Sequence, residues 1–325
     1  MTLTRRTALR LLAGATLAPT LARAQWSPTR PVRMVVPYPA GGPTDAIARY
    51  VAQELGAALG QNVVTENIAG ASGALGTRAV ARAEPDGHTI MLGNNQTHGN
   101  NMFLLKEPGY DAVRDFAPLA GAGAFEHVFV AANALPAKTI PELIALAKRD
   151  PGKLNYGSTG LGSGSHLSTE LFMVRTGAKM THVPYSGAAP LVTDLMAGRI
   201  DVSNSTLPSV LGQIEAGTVR AIGLASPRRN GRLPDVPTLR EQGVTGADAE
   251  SWTAFFAPAA TPPPVLERLS RETVAALNKP SVREALDKLG FTAAVRDPEA
   301  FRPYHAGEIA TWAEIIKAAG VPMQG

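Results

Sequence analysis

The stretch that decides the fold is residues 32–60, VRMVVPYPAGGPTDAIARYVAQELGAALG. Its first five residues predict a β-strand that stops at Pro37, and the loop 37–45 that follows holds two glycines and three prolines. From Ile47 to Leu59 apolar residues recur on one helical face, and Gly60 ends that helix. A strand, a glycine-rich loop and a helix form the repeating unit of a parallel α/β sheet.

The same unit recurs along the chain. In the first half we expect strands at 62–66 and 88–92, with the loop 70–73 leading into a helix that ends near Ala83. In the second half we expect strands at 154–156, 180–184 and 199–203, each pair separated by a loop and a helix. The tail after Pro262 is mainly helical. Two copies of one pattern predict two similar α/β lobes.

The first 24 residues have the composition of an export signal. Arg5-Arg6 precede a short apolar stretch, and Ala22-Arg23-Ala24 offers small residues for cleavage after Ala24. The paired arginines favour a twin-arginine signal over an ordinary secretory one. The chain has 31 basic and 27 acidic residues, and four of the arginines lie in this leader, so the remainder holds 27 of each. A neutral remainder argues against a nucleic-acid binder, and no cysteine is present to form a disulfide or act as a thiolate nucleophile.

Four loops rich in glycine or serine end at predicted helix starts: 39–45, 70–73, 158–165 and 186–189. The first turn of a helix has backbone N–H groups without partners and a partial positive charge, which suit an anion. None of these loops contains lysine or arginine. In parallel sheets such loops meet at the carboxyl ends of the strands. We therefore expect two lobes that face each other across a cleft and bind a small carboxylate.

Other chemistries fit less well. No serine has the order glycine, any residue, serine, any residue, glycine of a nucleophile elbow, and the six histidines show no paired metal-binding spacing. His166 at a helix start is expected to be structural. His98 either lines the cleft or packs in the core, and Asp45 either opposes the helix dipole or contacts the ligand. We expect no catalytic residue, metal or cofactor.

Several segments together resemble the Bug receptors, the extracytoplasmic solute-binding proteins of tripartite tricarboxylate transporters. These segments follow the family order through essentially the whole chain after the leader: 37–45 with Arg49, 67–73, 97–98, 110–111, 115–118, 156–167, 183–187, 198–201, 234–238 and 256–259.

The resemblance implies a two-lobed periplasmic-binding-protein fold of type II, the Venus flytrap, with its ligand cleft between the lobes. The first lobe would comprise 25–124 plus 225–325 and the second 125–224. The ligand would be a small organic acid, captured in the periplasm and delivered to inner-membrane permease subunits by a monomeric receptor. The family's ligand-binding loops carry over to Ala40, Gly41, Gly42, Asp45, Ser158, Thr159, Gly160, Ser163 and Ser165.

Six further candidates lie in the matching segments: Tyr38, Ser72, Gly73, His98, Ser186 and Asp201. The chain departs from the family at Ser186, where a lysine or another long residue is common, and at 99–101, where Gly-Asn-Asn replaces an apolar residue, Asn and Pro. Both departures bear on ligand identity. A sensor that signals through a partner protein and an exported serine hydrolase remain as alternative functions.

Overall fold

The computed structural model of the protein describes residues 26–323, so the predicted leader and its cleavage site lie outside the described part. Helices and strands alternate through most of it. In chain order they are β1 (Val32–Val36), α1 (Pro43–Leu59), β2 (Val63–Asn67), α2 (Ala74–Ala81), β3 (Thr89–Asn94), α3 (Asn101–Leu104), β4 (Phe116–Ala132), α4 (Ile140–Arg149), β5 (Asn155–Ser158), α5 (Gly164–Thr176), β6 (Thr181–Pro184), α6 (Ala188–Met196), β7 (Val202–Thr206), α7 (Leu207–Glu215), β8 (Val219–Leu224), β9 (Glu250–Pro258), α8 (Pro263–Asn278), α9 (Pro280–Lys288), β10 (Phe291–Arg296) and α10 (Pro298–Ala319).

The first lobe is built on the strand order β2-β1-β3-β9-β4, with β10 also paired to β4. Strands β1, β2 and β3 are parallel, as the sequence predicts, and β9 joins β3 in the antiparallel direction. The carboxyl ends of β1 and β3 therefore lie at the same edge of the sheet. The loop 37–42 and the residues 94–96 leave the sheet there.

Strand β4 is long because it belongs to both lobes. Its residues 116–126 pair with β9 in the first lobe, and residues 127–132 pair with β7 and β8 in the second. The second lobe adds β5, which lies parallel to both β6 and β7. After β8 the Ala225 N–H donates to the His127 carbonyl oxygen at 2.8 Å, which keeps the chain on the second-lobe half of β4.

Both sheets are covered on two faces. In β1, Val32, Met34 and Val36 enter one apolar cluster, whereas Val35 enters the cluster on the opposite face. In the second-lobe half of β4, Phe129 and the residues on either side of it also alternate between two clusters. A strand with both faces buried is what an α/β architecture requires.

The C-terminal helix α10 connects the lobes. Trp312, Ile315 and Ile316 pack with Leu104 of the first lobe and with α5 of the second in one apolar cluster. Within the part of the chain that the structure describes, no helix is both long and apolar enough to cross a bilayer.

The residues between β8 and β9 bear on where the second lobe ends. Leu239, Val244 and Ala247 pack in the core of the second lobe. We therefore propose that the second lobe extends beyond the predicted limit of 224 to about Ala249, where β9 returns the chain to the first sheet.

Candidate functional site

A cavity of about 140 Å³ lies between the lobes at the carboxyl ends of the parallel strands. One water position needs about 10–15 Å³, so the cavity has room for a small molecule. It is lined by Tyr38, Pro39, Ala40, Gly42, Pro43, Thr44, Asp45, Asn94, Asn95, Gln96, Phe125, Thr159, Ser163, Gly164, Ser165, Ser186, Gly187, Ala188, Ala189, Pro190, Thr206, Ser209 and Ser251. The lining includes eight of the residues expected from the sequence: Tyr38, Ala40, Gly42, Asp45, Thr159, Ser163, Ser165 and Ser186.

Three helices begin at this cavity without a side-chain cap. Gly42 precedes α1, Gly187 precedes α6 and Thr206 precedes α7, and no side chain of these residues accepts a hydrogen bond from a backbone N–H of the helix that it starts. The Thr206 hydroxyl instead bonds to the Ser209 hydroxyl at 2.5 Å. The first-turn N–H groups therefore remain available to a ligand, except at Pro43, Pro190 and Pro208, which have none. Each helix also brings the positive end of its dipole to the cavity. One of the helices belongs to the first lobe and two to the second.

Asp45 is held by its own lobe. Its carboxylate accepts hydrogen bonds from the Gly41 N–H at 3.0 Å, from Arg49 at 2.9 and 3.0 Å and from Asn67 at 2.9 Å. Burial opposes its charge, but the bonds from Arg49, Gly41 and Asn67 outweigh that cost and keep the pKa of the carboxyl below its ordinary value. These bonds favour a role in bracing the loop 37–45. No other lining residue carries a formal charge.

Hydroxyl groups form the wall contributed by the glycine-serine loop. The Thr159 N–H donates to Ser165 Oγ at 3.0 Å, and Ser163 Oγ donates to the Gly160 carbonyl at 2.6 Å. Ser163 also receives the His166 N–H, so helix α5 is capped by its own chain. Gly160 itself does not line the cavity, and it serves as the acceptor that fixes the turn.

Ser158 lies behind this loop, not in the cavity. Its Oγ is 2.6 Å from His182 Nε2, and the His182 ring stacks between those of Tyr156 and His166. Burial lowers the pKa of His182 to about 4, and burial and then the His182 charge lower that of His166 to about 3. The rings are therefore neutral at pH 7. Tyr156 donates to Glu170 at the far side of the stack. This serine–histidine pair is part of a buried network that supports the loop.

His98 belongs to the core of the first lobe. Its ring is fully buried and stacks on Phe256 with centroids 3.9 Å apart, and burial holds its pKa well below the ordinary value. Its carbonyl oxygen lies 2.6 Å from His305 Nε2. Of the two roles that the sequence left open for His98, the structure favours packing.

Three other candidates also lie away from the cavity lining. Asp201 accepts the Asn155 N–H at 2.7 Å and lines a separate groove in the second lobe. Gly41 lines a neighbouring surface groove, while its N–H bonds to Asp45. At Gly73 an added Cβ would lie 2.7 Å from Thr97, so this glycine permits a close contact within the first lobe.

Ser72 takes part in a set of hydrogen bonds that joins the lobes. The Leu161 carbonyl accepts from Ser72 Oγ at 3.0 Å and from Gln96 Nε2 at 2.8 Å. The Gly162 carbonyl accepts from Asn100 Nδ2 at 2.8 Å. We call these five residues the inter-lobe latch. It fastens the glycine-serine loop of the second lobe to the first lobe beside the cavity.

Several lining residues were not predicted. Thr206 ends β7 and Ser209 follows it, so the rule that selected the other loops would also have selected them. Asn94 ends β3 in the same way, and Asn95 and Gln96 follow it. Phe125 and Ser251 come from the crossing strands β4 and β9, and no local sequence signal marks them. Within the described residues, no cluster of histidine, aspartate and glutamate has an arrangement suited to a metal ion.

Comparison with solved structures shows the same fold in three binding proteins. The periplasmic binding protein BugD is 35% identical, with a TM-score of 0.86 over 91% of this chain and 100% of its own. Rpa4515 of R. palustris with adipate is 34% identical, with a TM-score of 0.88 over 91% of this chain and 99% of its own. MatC of Rhodopseudomonas palustris with bound malate is 34% identical, with a TM-score of 0.84 over 89% and 99%. The expected two-lobed periplasmic-binding-protein fold is thereby confirmed.

Comparison with protein families places the sequence in a family of transporter receptors. The sequence model of the family described as tripartite tricarboxylate transporter family receptor, TctC, matches residues 47–321. This is a family of solute-binding receptors and not of enzymes, which excludes the hydrolase alternative. The chain belongs to the TctC family of tripartite tricarboxylate transporter receptors, in which the Bug proteins fall.

Proposed function

We propose that the protein captures a small organic acid in the inter-lobe cavity, with a carboxylate held by the helix N-termini of both lobes. The observation that carries this proposal is that α1, α6 and α7 all begin at one cavity without a side-chain cap. Hydroxyls from the glycine-serine loop add neutral donors. Two relatives of the same fold contain adipate and malate, both of which are carboxylates.

The positive ends of the helix dipoles and the lack of a lining cation favour one class of ligand. Helix N-termini attract anions and disfavour cations, and no cationic side chain lines the cavity. A phosphate chain is usually bound with a lysine or arginine as well, as in the P-loop. The backbone N–H groups of Thr44 and Ala188 are two of these donors, since each residue lines the cavity and lies in the first turn of a helix. A carboxylate matches this set of N–H and O–H donors.

Ligand binding is proposed to stabilise the closed arrangement of the lobes. The cavity wall comes from both lobes, so a ligand that bridges them holds them together. The chain crosses between the lobes along β4 and again near Ala249, where β9 begins, and these are the sites where a hinge motion would bend the backbone.

Delivery to a permease completes the proposal. We propose that residues 1–24 direct export to the periplasm, with cleavage after Ala24. The loaded receptor would then pass its acid to inner-membrane subunits of a tripartite transporter. The family assignment supports this transport role over a sensing role.

Binding is tested with residues 25–325, unfolded and refolded to remove any bound solute. Adipate, malate, citrate and benzoate are titrated by calorimetry and thermal shift, with adipamide as a neutral control of the same length as adipate. A ligand at about 100 times its dissociation constant adds about 2.7 kcal/mol of stability. We expect at least one acid to bind and adipamide not to bind. Failure of all acids, or equal binding of the diamide, would overturn the proposal.

Transport is tested separately by uptake of the acid that binds. Cells that lack this chain should lose uptake and regain it with the full-length chain, but not with a chain that lacks residues 1–24. Unchanged uptake would favour the sensor alternative.

A further inference from the structure

Three amide side chains follow one another at the end of β3, and the middle one has a buried donor without a partner. Asn94 Oδ1 accepts from the Tyr38 hydroxyl at 2.7 Å and from the Gln96 N–H at 3.0 Å. Gln96 Nε2 donates to the Leu161 carbonyl in the inter-lobe latch. Asn95 Nδ2 is buried and has no hydrogen-bond partner among the described residues. Asn94 Oδ1 and the Gln96 amide are thus engaged by other residues of the protein, whereas the buried Nδ2 of Asn95 is not.

Asn95 lies in the cavity wall and is fixed there by its backbone. Its side chain lines the cavity, and the residue as a whole is only 1% exposed. Its N–H donates to the Trp252 carbonyl at 3.3 Å, and its carbonyl accepts from the Asn100 N–H at 2.8 Å. Rotation about χ2 is broad for asparagine, so either amide atom can be turned toward the cavity.

An unpaired buried amide is unfavourable, because burial removes water and nothing replaces its hydrogen bonds. A ligand that accepts a hydrogen bond from this amide would remove that cost. Asn95 is hydrogen-bonded to the backbone of Trp252 in the crossing strand β9, and Ser251 and Phe125 of the crossing strands line the same cavity. The uncapped starts of α1, α6 and α7 provide donors for one carboxylate, and Asn95, at the end of β3, provides a donor from another element that lines this cavity.

We infer that the Asn95 side-chain amide binds a second polar group of the ligand, the far carboxylate of a dicarboxylic acid, and thereby selects dicarboxylates over monocarboxylates. This inference rests on the proposed function, since it assumes that one carboxylate is already held by the helix N-termini. A dicarboxylate would satisfy Nδ2, whereas a monocarboxylate of the same length would place a methyl group against the amide. The monocarboxylate would leave the buried amide without a hydrogen-bond partner and would therefore bind with lower affinity.

The test compares acids that differ only at the far end: adipate with hexanoate, and malate with 2-hydroxybutyrate. Their dissociation constants are measured on the wild type, on Asn95→Asp and on Asn95→Leu. Asn95→Asp keeps the shape but places an acceptor and a negative charge where the donor was. We expect the wild type to prefer the diacid, this preference to fall at least tenfold in Asn95→Asp, and to fall at least threefold in Asn95→Leu. Asn95→Leu decides the question if Asn95→Asp does not fold.

Asn204→Asp is the matched control, because Asn204 is a fully buried asparagine that does not line the cavity. Damage to the fold lowers the affinity for both acids of a pair and leaves their ratio unchanged. A changed ratio in Asn95→Asp contains both the lost contact and the repulsion of the diacid by the new charge, whereas Asn95→Leu adds no charge and so reports the contact alone. We expect the ratio in Asn204→Asp to equal that of the wild type. An unchanged ratio in the Asn95 variants, or a wild type that prefers the monoacid, would overturn this inference alone. A wild type that binds no acid would overturn the proposed function as well.

Discussion

Gly42→Asp is expected to abolish binding of the acid while the protein remains folded. Gly42 has φ −85° and ψ 170°, an extended conformation that any residue adopts. A Cβ built there would lie no closer than 3.9 Å to Pro39 O, so the new side chain has room. Aspartate is also a better N-cap than glycine by a few tenths of a kcal/mol. The free energy of unfolding should therefore stay equal or rise slightly.

The loss of affinity follows from charge. The aspartate would accept the first-turn N–H groups of α1 and would place a negative charge beside the ligand carboxylate. Two like charges about 4 Å apart repel by about 4 kcal/mol at an effective dielectric constant of about 20. Each 1.4 kcal/mol is a factor of about ten, so the dissociation constant should rise by at least about 100-fold.

Calorimetric titration with the acid that the wild type binds measures this change, and urea unfolding measures stability. Gly231→Asp is the control, since it adds the same charge at an exposed glycine with no atom within 4 Å of its Cβ position. A Gly42→Asp protein that is folded and binds within threefold of the wild type would refute the assignment of α1 to the ligand.

Three further outcomes are expected. Asn100→Ala removes the latch bond to the Gly162 carbonyl, so ligand affinity should fall about fivefold, near 1 kcal/mol. X-ray scattering should show a larger radius of gyration for the ligand-free variant than for the ligand-free wild type. An unchanged radius of gyration would contradict a role of this bond in closure. Leu104→Ala should lower the free energy of unfolding by about 2–5 kcal/mol in urea, because Leu104 is buried where both lobes meet α10, and a loss below about 1 kcal/mol would argue against that packing. Burial lowers the pKa of His127 to about 4, so the unfolded chain takes up a proton near pH 6.5 before the native protein does. The contribution of His127 to stability is complete above pH 6.5 and should fall toward pH 4 by up to about 1.4 kcal/mol per unit, in addition to the contributions of the other buried histidines. His127→Gln should therefore make the fall of the urea midpoint over this range less steep, and an equally steep fall in the variant would show that His127 does not contribute.

The sequence predicted best those elements whose ends carry local signals. The helical tail expected after Pro262 is found, and α8 begins at Pro263 because proline suits the first helical turn. Helix α1 begins at Pro43, two residues before the end of the loop 37–45 that the sequence predicted. Strand ends were less well placed. The third strand was expected at 88–92 and is found at Thr89–Asn94, since pairing with β9 carries it further.

Strand β4 shows what local patterns cannot supply. Its first half, FAPLAGAGA, is rich in alanine and glycine, residues that have little preference for strands. It is extended because β9 and β10, more than 100 residues later in the chain, hydrogen-bond to it. Pairing at that sequence separation leaves no periodic trace in the strand itself.

The site was predicted in the same uneven way. Loops at helix starts were found because the rule concerns the backbone, and the residues lining the cavity from 38–45 and 159–165 follow from it. The loop 70–73 obeys the same rule, yet Ser72 contacts the opposite lobe. The relative placement of the two lobes decides which loops line the shared cavity. The sequence of either lobe alone does not specify this placement.

The absence of a lining cation has a consequence for how such receptors diversify. A lysine that holds a carboxylate is lost by one codon change, but a main-chain N–H survives every substitution except proline. The ability to hold an acid is therefore robust to uncharged substitutions other than proline at Ala40, Ala188 or Ala189, which line the cavity and shape the room around the ligand. Duplicated copies of such a gene can drift from one acid to another in small steps, without passing through a form that binds none.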